Sequence, residues 1–406
     1  MARILLSQQN LLNKPFRIPV LQKSRIIILI VLAQFLGTSL WFVGNIVVPQ
    51  LPISALQNPD AVGDVLAAVQ FGFITGTLVF AVLAFADRFS PSKVFLICAI
   101  LGAITNLALL LPGVQYQTIL SSRFSTGFFL AGIYPVGMKI ASDYFEKGLG
   151  KALGYLVGAL VLGTALPHVL NSFGLSLDYK TITAITSAFA ALGGILIGFG
   201  VPDGPFRKPQ QRLSFSGIPQ LFRQKSFRAA AFGYWGHMWE LYAFWGFVPL
   251  FITYYATQNE LLLNIPLLAF GTISIGAVAC AVGGHLVSRF SSTKVARFSL
   301  LASGICCVLS PFSLQFPPVL FIVFMLFWGA VVVADSPQFS TLVATQAIPE
   351  YRGTALTLVN CIGFAITILS IQLLGHFALA NDLRYLFLVL AAGPIFGVLS
   401  LGRTNL

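Results

Sequence analysis

Apolar runs long enough to cross a bilayer recur from one end of this chain to the other, and no other feature restricts its fold as much. Hydrocarbon offers no partner to a backbone N–H or C=O, so a spanning segment must be a helix of about 20 residues or part of a closed barrel. Twelve runs are legible, over residues 26–48, 62–85, 94–111, 117–144, 152–172, 181–201, 229–254, 262–287, 295–312, 319–344, 354–378 and 385–401. Of the 406 residues 57% are hydrophobic and 9% charged, against about 25% charged in a soluble domain. The expectation is an all-α integral membrane protein of twelve transmembrane helices in two pseudo-symmetric six-helix bundles. Residues 1–25 form a tail, 26–201 the first bundle, 202–228 a polar linker, 229–401 the second bundle and 402–406 a short tail.

An internal repeat supports the division. The charged hairpin A-D-R-F-S-P-S-K-V at 86–94 returns as V-S-R-F-S-S-T-K-V at 287–295, which sets Arg88 and Arg289 201 positions apart. Gly127 and Pro135 reappear as Gly329 and Pro337, each 202 positions later. Self-similarity at half the chain length points to a duplicated bundle.

The net charge of +12 would suggest nucleic acid in a soluble protein, but here it is explained by topology, and no nucleic-acid partner is expected. Of the 24 Lys and Arg residues only Arg123, Lys180 and Arg384 fall on or towards the outer side under the twelve-span reading. The positive-inside rule then places both termini in the cytoplasm. The five cysteines lie inside apolar runs and read as small core residues without a disulfide framework. Five bases before residue 26, with no apolar run of signal length among them, read as a tail rather than a cleaved signal.

The hairpin and other residues resemble the major facilitator superfamily, whose signature between its second and third spans is Gly-x-x-x-Asp-Arg followed by Gly and bases. The first copy keeps Asp87 and Arg88 but has Leu83 in the Gly position, and the second keeps Gly284 and Arg289 but has Ser288 for the Asp. Arg123-Phe124-Ser125-Thr126-Gly127 is similar to the Arg-x-x-x-Gly of the fourth span, and Glu350-Tyr351-Arg352-Gly353 before the eleventh is also of the family's kind. The resemblance implies a transporter in which the first, fourth, seventh and tenth spans line a cavity. It also implies an inner gate of Asp87, Arg88, Arg289 and Arg352, with Asp87 at a helix start or paired with Lys151 or Arg352. The fifth span, G-A-L-V-L-G-T-A-L-P, lacks the antiporter motif Gly-Pro-x-x-Gly-Gly, and no Pro-Glu-Ser-Pro-Arg follows the sixth. Drug antiport and sugar transport lose weight accordingly.

At about 100° per residue, offsets of 0, 4, 7 and 11 share a helix face. On the four spans these faces are Gln34, Thr38, Trp41 and Asn45; Arg123, Gly127, Leu130 and Tyr134; Gly233, His237, Glu240 and Phe244; and Trp328, Val332, Asp335 and Phe339. Polar groups among aromatic ones make a ligand pocket. Charge at mid-bilayer costs roughly 2.5–3.5 kcal/mol on insertion scales, so Arg123, Glu240 and Asp335 should face water, solute or one another. Plainer roles exist for each: a helix-to-helix hydrogen bond for Glu240, a partner for the backbone broken at Pro337 for Asp335, snorkelling for Arg123, topology and capping for Asp87. His168, His285 and His376 stand near span ends and read as satisfied interfacial residues.

His237 and Glu240 form H-x-x-E, but Leu241 stands where a zinc motif needs its second His. No G-x-S-x-G elbow or Gly-rich phosphate loop is present, so neither an enzyme nor an ATP-driven pump is expected, and no metal or cofactor. The reading is a monomeric secondary transporter, of bacterial plasma (inner) membrane type, that takes up a small organic solute with a co-transported proton. Its proton groups are Glu240, Asp335 and His237. Arg123 hints at an anionic solute. Proton-driven efflux, a scaffold or sensor without transport, and a lipid flippase are the alternatives.

Overall fold

A computed structural model describes residues 20–47, 50, 60–145, 149–172, 177–207, 213, 215–287, 289–380 and 382–402. Most of the expected N-terminal tail, the middle of the linker, Ser288 and residues 403–406 lie outside the described residues.

Helices follow the apolar runs throughout. Among the described residues ten are long and apolar enough to span a bilayer. Two further rods fall in the order where the fourth and seventh spans are expected. The fourth comprises Tyr116–Leu130 and Tyr134–Tyr144, and the seventh is Lys225–Gln258. These two rods carry Arg123 and the His237/Glu240 pair, whereas Asp335 lies on the tenth, which is among the apolar ten. The seventh rod begins inside the expected linker, which also holds a short helix, Ile218–Arg223. Pro219 at its second position and Gln224 in extended conformation after it delimit that helix.

The repeat has a structural cause at each landmark. The fourth rod breaks at 131–133 just before Pro135, and the tenth breaks at Asp335 between Pro318–Ala334 and Ser336–Gln346, just before Pro337. A proline removes one backbone donor and clashes with the preceding turn, so both helices restart there. Gly127 lets the fourth rod cross the second, Asp60–Leu83, where an added Cβ would stand 2.0 Å from Val69 O. Gly329 does the same for the tenth and the eighth, Ile265–Leu286, at 1.7 Å from Thr272 O. Small residues at crossings let helices pack where no hydrophobic effect drives them together.

The two halves meet along the fifth and eighth rods and along the second and the eleventh, Arg352–Ala380. Gly154 and Gly158 of the fifth rod, Leu149–Leu170, press on the eighth; added Cβ atoms would lie 3.2 Å from Cys280 O and 3.1 Å from Ala277 O. Hydrogen bonds between the halves gather on the face away from the linker. There Asn45 Nδ2 donates to Gly246 O at 3.5 Å, Gln372 Nε2 to Asp64 at 3.2 Å, and Asn264 Nδ2 to Ser172 O at 3.1 Å.

The linker face differs from the expected latch. Ala84, in left-handed conformation at φ 51°, turns the chain out of the second rod into the four-residue helix Phe85–Arg88. That turn aims Asp87 at the fourth rod, where it pairs with Lys139 at 3.0 Å rather than with Lys151 or Arg352. Nor does Asp87 cap the third rod, Pro91–Leu107, whose cap residue is Ser90. Arg207 binds the carbonyls of Asp87 and Phe89, both at 2.7 Å, and Ser90 Oγ donates to Asp203 at 2.6 Å. The start of the linker is thus fastened to the N-terminal half. Arg88, Arg289 and Arg352 are exposed.

Candidate functional site

Polar residues of the seventh rod are built into the C-terminal bundle. Gly233 and Gly236 clear the space, since added Cβ atoms would meet Phe339 at 2.4 Å and Gly393 O at 2.4 Å. Behind this close approach His237 Nδ1 lies 2.9 Å from Asp335 Oδ1, and both side chains are fully buried. The contact is one of proximity, because neither atom forms a hydrogen bond of regular geometry. Glu240 Oε2 accepts from Ser303 Oγ at 3.0 Å and from the Cys307 thiol at 3.5 Å, both on the ninth rod, Ser292–Ser313. Trp328 Nε1 in turn donates to Ser303 Oγ at 3.2 Å. Phe244 lies against Trp328 and Phe387, with centroids 4.5 and 5.2 Å apart.

The face of His237, Glu240 and Phe244 therefore turns toward the ninth and tenth rods and the twelfth, Leu383–Gly402. Sequence reading expects it, with Trp328 and Asp335, to line the space between the halves, and that expectation is corrected. Helical periodicity identifies residues that share a face but not which neighbour the face meets. The helix-to-helix hydrogen bond considered for Glu240 exists, yet its Oε1 has no partner. Asp335 makes no regular side-chain cap to the helix after it, but its carboxylate stands within reach of the backbone N–H groups of Asp335 and Ser336, as the plainer role for it requires.

Arg123 is also drawn into its own bundle. Its guanidinium donates to Leu40 O at 2.7 Å, Trp41 O at 3.0 Å and Asn106 Oδ1 at 2.8 Å, and it is fully buried rather than snorkelling. The first rod is interrupted between Val20–Thr38 and Val43–Val47, and those two carbonyls lie in the interruption. A buried carbonyl without a helical partner needs another donor, and the arginine fork supplies two. Asn106 is fixed by Ser187 Oγ at 2.9 Å. This use of Arg123 leaves only Nε without a partner, which weakens its case as an anion receptor.

The remaining predicted residues of the first and fourth rods separate into two groups. Gln34 and Thr38 pack within the N-terminal half. Cβ atoms added at Gly137 and Gly163 would strike Gln34 Oε1 at 2.2 Å and Thr38 Oγ1 at 2.1 Å. Leu130 is fully buried. Trp41 and Asn45 do reach the other half: Trp41 stacks on Tyr242 and Phe364, with centroids 5.5 and 6.0 Å apart. Tyr134 is buried. Sequence reading missed Gln70, Asn106, Tyr242 and Ser303. Gln70 and Asn106 had a signal, each being a lone amide in an apolar run; Tyr242 and Ser303 had none. His168, read as an interfacial residue, is fully buried with neither ring nitrogen partnered.

Fold and site together define a multi-pass membrane protein made of two related helical bundles, each with a buried polar centre. The sequence matches the Major Facilitator Superfamily over residues 30–400, and the chain belongs to that family. It is similar in structure to a mutant of the nucleoside transporter NupG, with TM-score 0.69 and 15% identity over 93% of this chain and 99% of that one. It is also similar to the human organic anion transporter MFSD10 (TETRAN), with TM-score 0.71 and 14% identity over 95% of this chain and 100% of that one. No curated protein is similar enough in sequence to match.

Proposed function

We propose that this chain is a secondary transporter that takes up a small organic solute by alternating access, driven by a proton carried in the C-terminal bundle. The observation that carries this reading is the buried trio itself. His237, Asp335 and Glu240 sit on the seventh and tenth rods, fully buried, with Oε1 of Glu240, Oδ2 of Asp335 and Nε2 of His237 unpartnered. Intramembrane ionisable groups are expensive and mark proton and solute pathways, and three of them gather here within one bundle. A group of that kind takes up a proton when the bundle opens to one side and gives it up on the other. The solutes named for the two similar structures are not carried over, because 14–15% identity supports the fold alone.

The test is radiolabelled uptake in proteoliposomes with and without an imposed pH gradient. Glu240→Gln, a near-isosteric neutral mimic, is expected to abolish accumulation against a gradient while keeping exchange between equal pools. A Gln variant that still concentrates solute in response to the gradient moves the proton site to Asp335. Orientation follows from the distribution of bases, with the linker face cytoplasmic. In intact cells an impermeant thiol reagent should label Gln258→Cys and leave Gln220→Cys untouched, and the reverse pattern inverts the topology.

A further inference from the structure

The interface between the halves holds a second set of buried polar atoms that the fold does not use. Trp41 and Tyr242 occupy equivalent positions of the repeat and stack on each other across the interface, 5.5 Å apart and inclined at 26°. Phe73 and Phe364, again one from each half, meet beside them at 4.4 Å. Gln70 is one turn from Phe73 and from Leu66, and Leu66 lies 2.7 Å from a Cβ built at Gly246. Gln70 therefore belongs to the face of the second rod turned toward the C-terminal half. It is fully buried and neither atom of its amide has a partner; the same holds for Nε1 of Trp41, Nε1 of Trp245 and Oδ1 of Asn45.

A buried donor or acceptor left unpaired is costly, and native proteins keep few of them. Here four such residues stand on the first, second and seventh rods, which meet at the interface, and they include both donors and acceptors. Each buried charge nearby is engaged elsewhere. Arg123 holds Leu40 O, Trp41 O and Asn106; Glu240 takes Ser303 and Cys307; His237 lies against Asp335. A charged solute in this cluster would have no counter-ion in a low-dielectric setting. Flat rings from opposite halves supply large contact area to a planar guest.

We infer that this aromatic and amide cluster is the solute site, and that it takes an uncharged, planar solute carrying hydrogen-bond donors and acceptors on its edge, admitted between Trp41 and Tyr242 when the halves part, since at 5.5 Å the two rings close on each other. The inference rests on the transporter reading and adds to it the solute class and the separation of the solute site from the proton site. Because the two plates belong to different halves, a guest between them binds one arrangement of the halves better than another. That differential affinity is what a ligand needs in order to shift the conformational balance.

The experiment is thermal unfolding and tryptophan fluorescence of the full-length protein in nanodiscs with three classes of probe. Nicotinamide, uracil and hypoxanthine are uncharged and planar with donors and acceptors on the edge, benzoate and benzylamine are planar and charged, and mannitol is uncharged and not planar. A ligand that binds only the folded state raises its apparent stability. At least one probe of the first class should raise the unfolding midpoint and quench the fluorescence, and the other two classes should not. Gln70→Leu and Tyr242→Leu should each weaken that binding about tenfold or more, with Tyr242→Phe retaining most of it as the variant that preserves the plate. The inference is overturned if no probe of the first class binds, if the charged probes or mannitol bind better, or if binding survives both leucine variants unchanged. A charged probe that binds and is accumulated in proteoliposomes removes the solute class and leaves the transporter reading standing. Failure of every probe to bind, together with no gradient-driven uptake of any, removes both.

Discussion

Arg123 holds the interruption of the first rod in place, and its replacement tests that role against recognition of an anion. Arg123→Lys keeps the charge but loses the planar fork that reaches Leu40 O, Trp41 O and Asn106 together. It should destabilise the fold by about 1–3 kcal/mol, read as a lower unfolding midpoint in detergent without any solute present. A variant of unchanged stability that loses solute affinity would return Arg123 to a binding role. Residue types at this scale were legible in the sequence: charges in apolar runs announce themselves, and Arg123, His237, Glu240 and Asp335 are all fully buried. Their neighbours were not. Whether Glu240 faces Ser303 or the opposite half depends on how the seventh rod is rotated, and Gly233 and Gly236 set that rotation by pressing on Phe339 and Gly393.

Among the elements, the crossings of the second with the fourth rod and of the eighth with the tenth bear the tightest packing. Gly127→Ala and Gly329→Ala each place a methyl at 2.0 and 1.7 Å from a backbone oxygen, which cannot swing aside as a side chain can. Each should cost about 1–3 kcal/mol or more, as overpacking does. Gly150→Ala, where nothing lies within 4 Å, is the control and should change little. Equal unfolding midpoints for all three, measured by fluorescence-detected melting, would show that the rods shift to absorb the methyl. The recurrence of Gly127 and Pro135 as Gly329 and Pro337 was visible in the sequence, and the crossings and breaks account for it. The direction of Asp87 was not visible, because it follows from Ala84 in a left-handed conformation that residue type does not announce.

For the whole molecule the central claim is that two bundles exchange access to one interface, with the proton in one bundle and the solute between both. Among the described residues the three hydrogen bonds named between the halves lie on the face away from the linker, while Arg207 fastens the start of the linker to the N-terminal half. One face is therefore closed by hydrogen-bonded ties that the motion must break, and the other by packing of the fifth rod on the eighth, where a Cβ added at Gly284 would lie 3.7 Å from Gly150 O and the rings of Tyr155 and His285 stand 6.2 Å apart. Spin labels on Phe89 and Phe290, at equivalent exposed sites of the two hairpins, report the linker face. A second pair on Lys180 and Gln258, both exposed, reports the opposite face. Distances between each pair are measured by pulsed electron resonance in nanodiscs at pH 5 and pH 8, with Glu240→Gln as a permanent mimic of the protonated state. The account predicts that one distance lengthens as the other shortens, and that the Gln variant is fixed in the low-pH distribution at both pH values. Distances that move in the same direction, or that do not respond to pH and to Glu240→Gln alike, would contradict it.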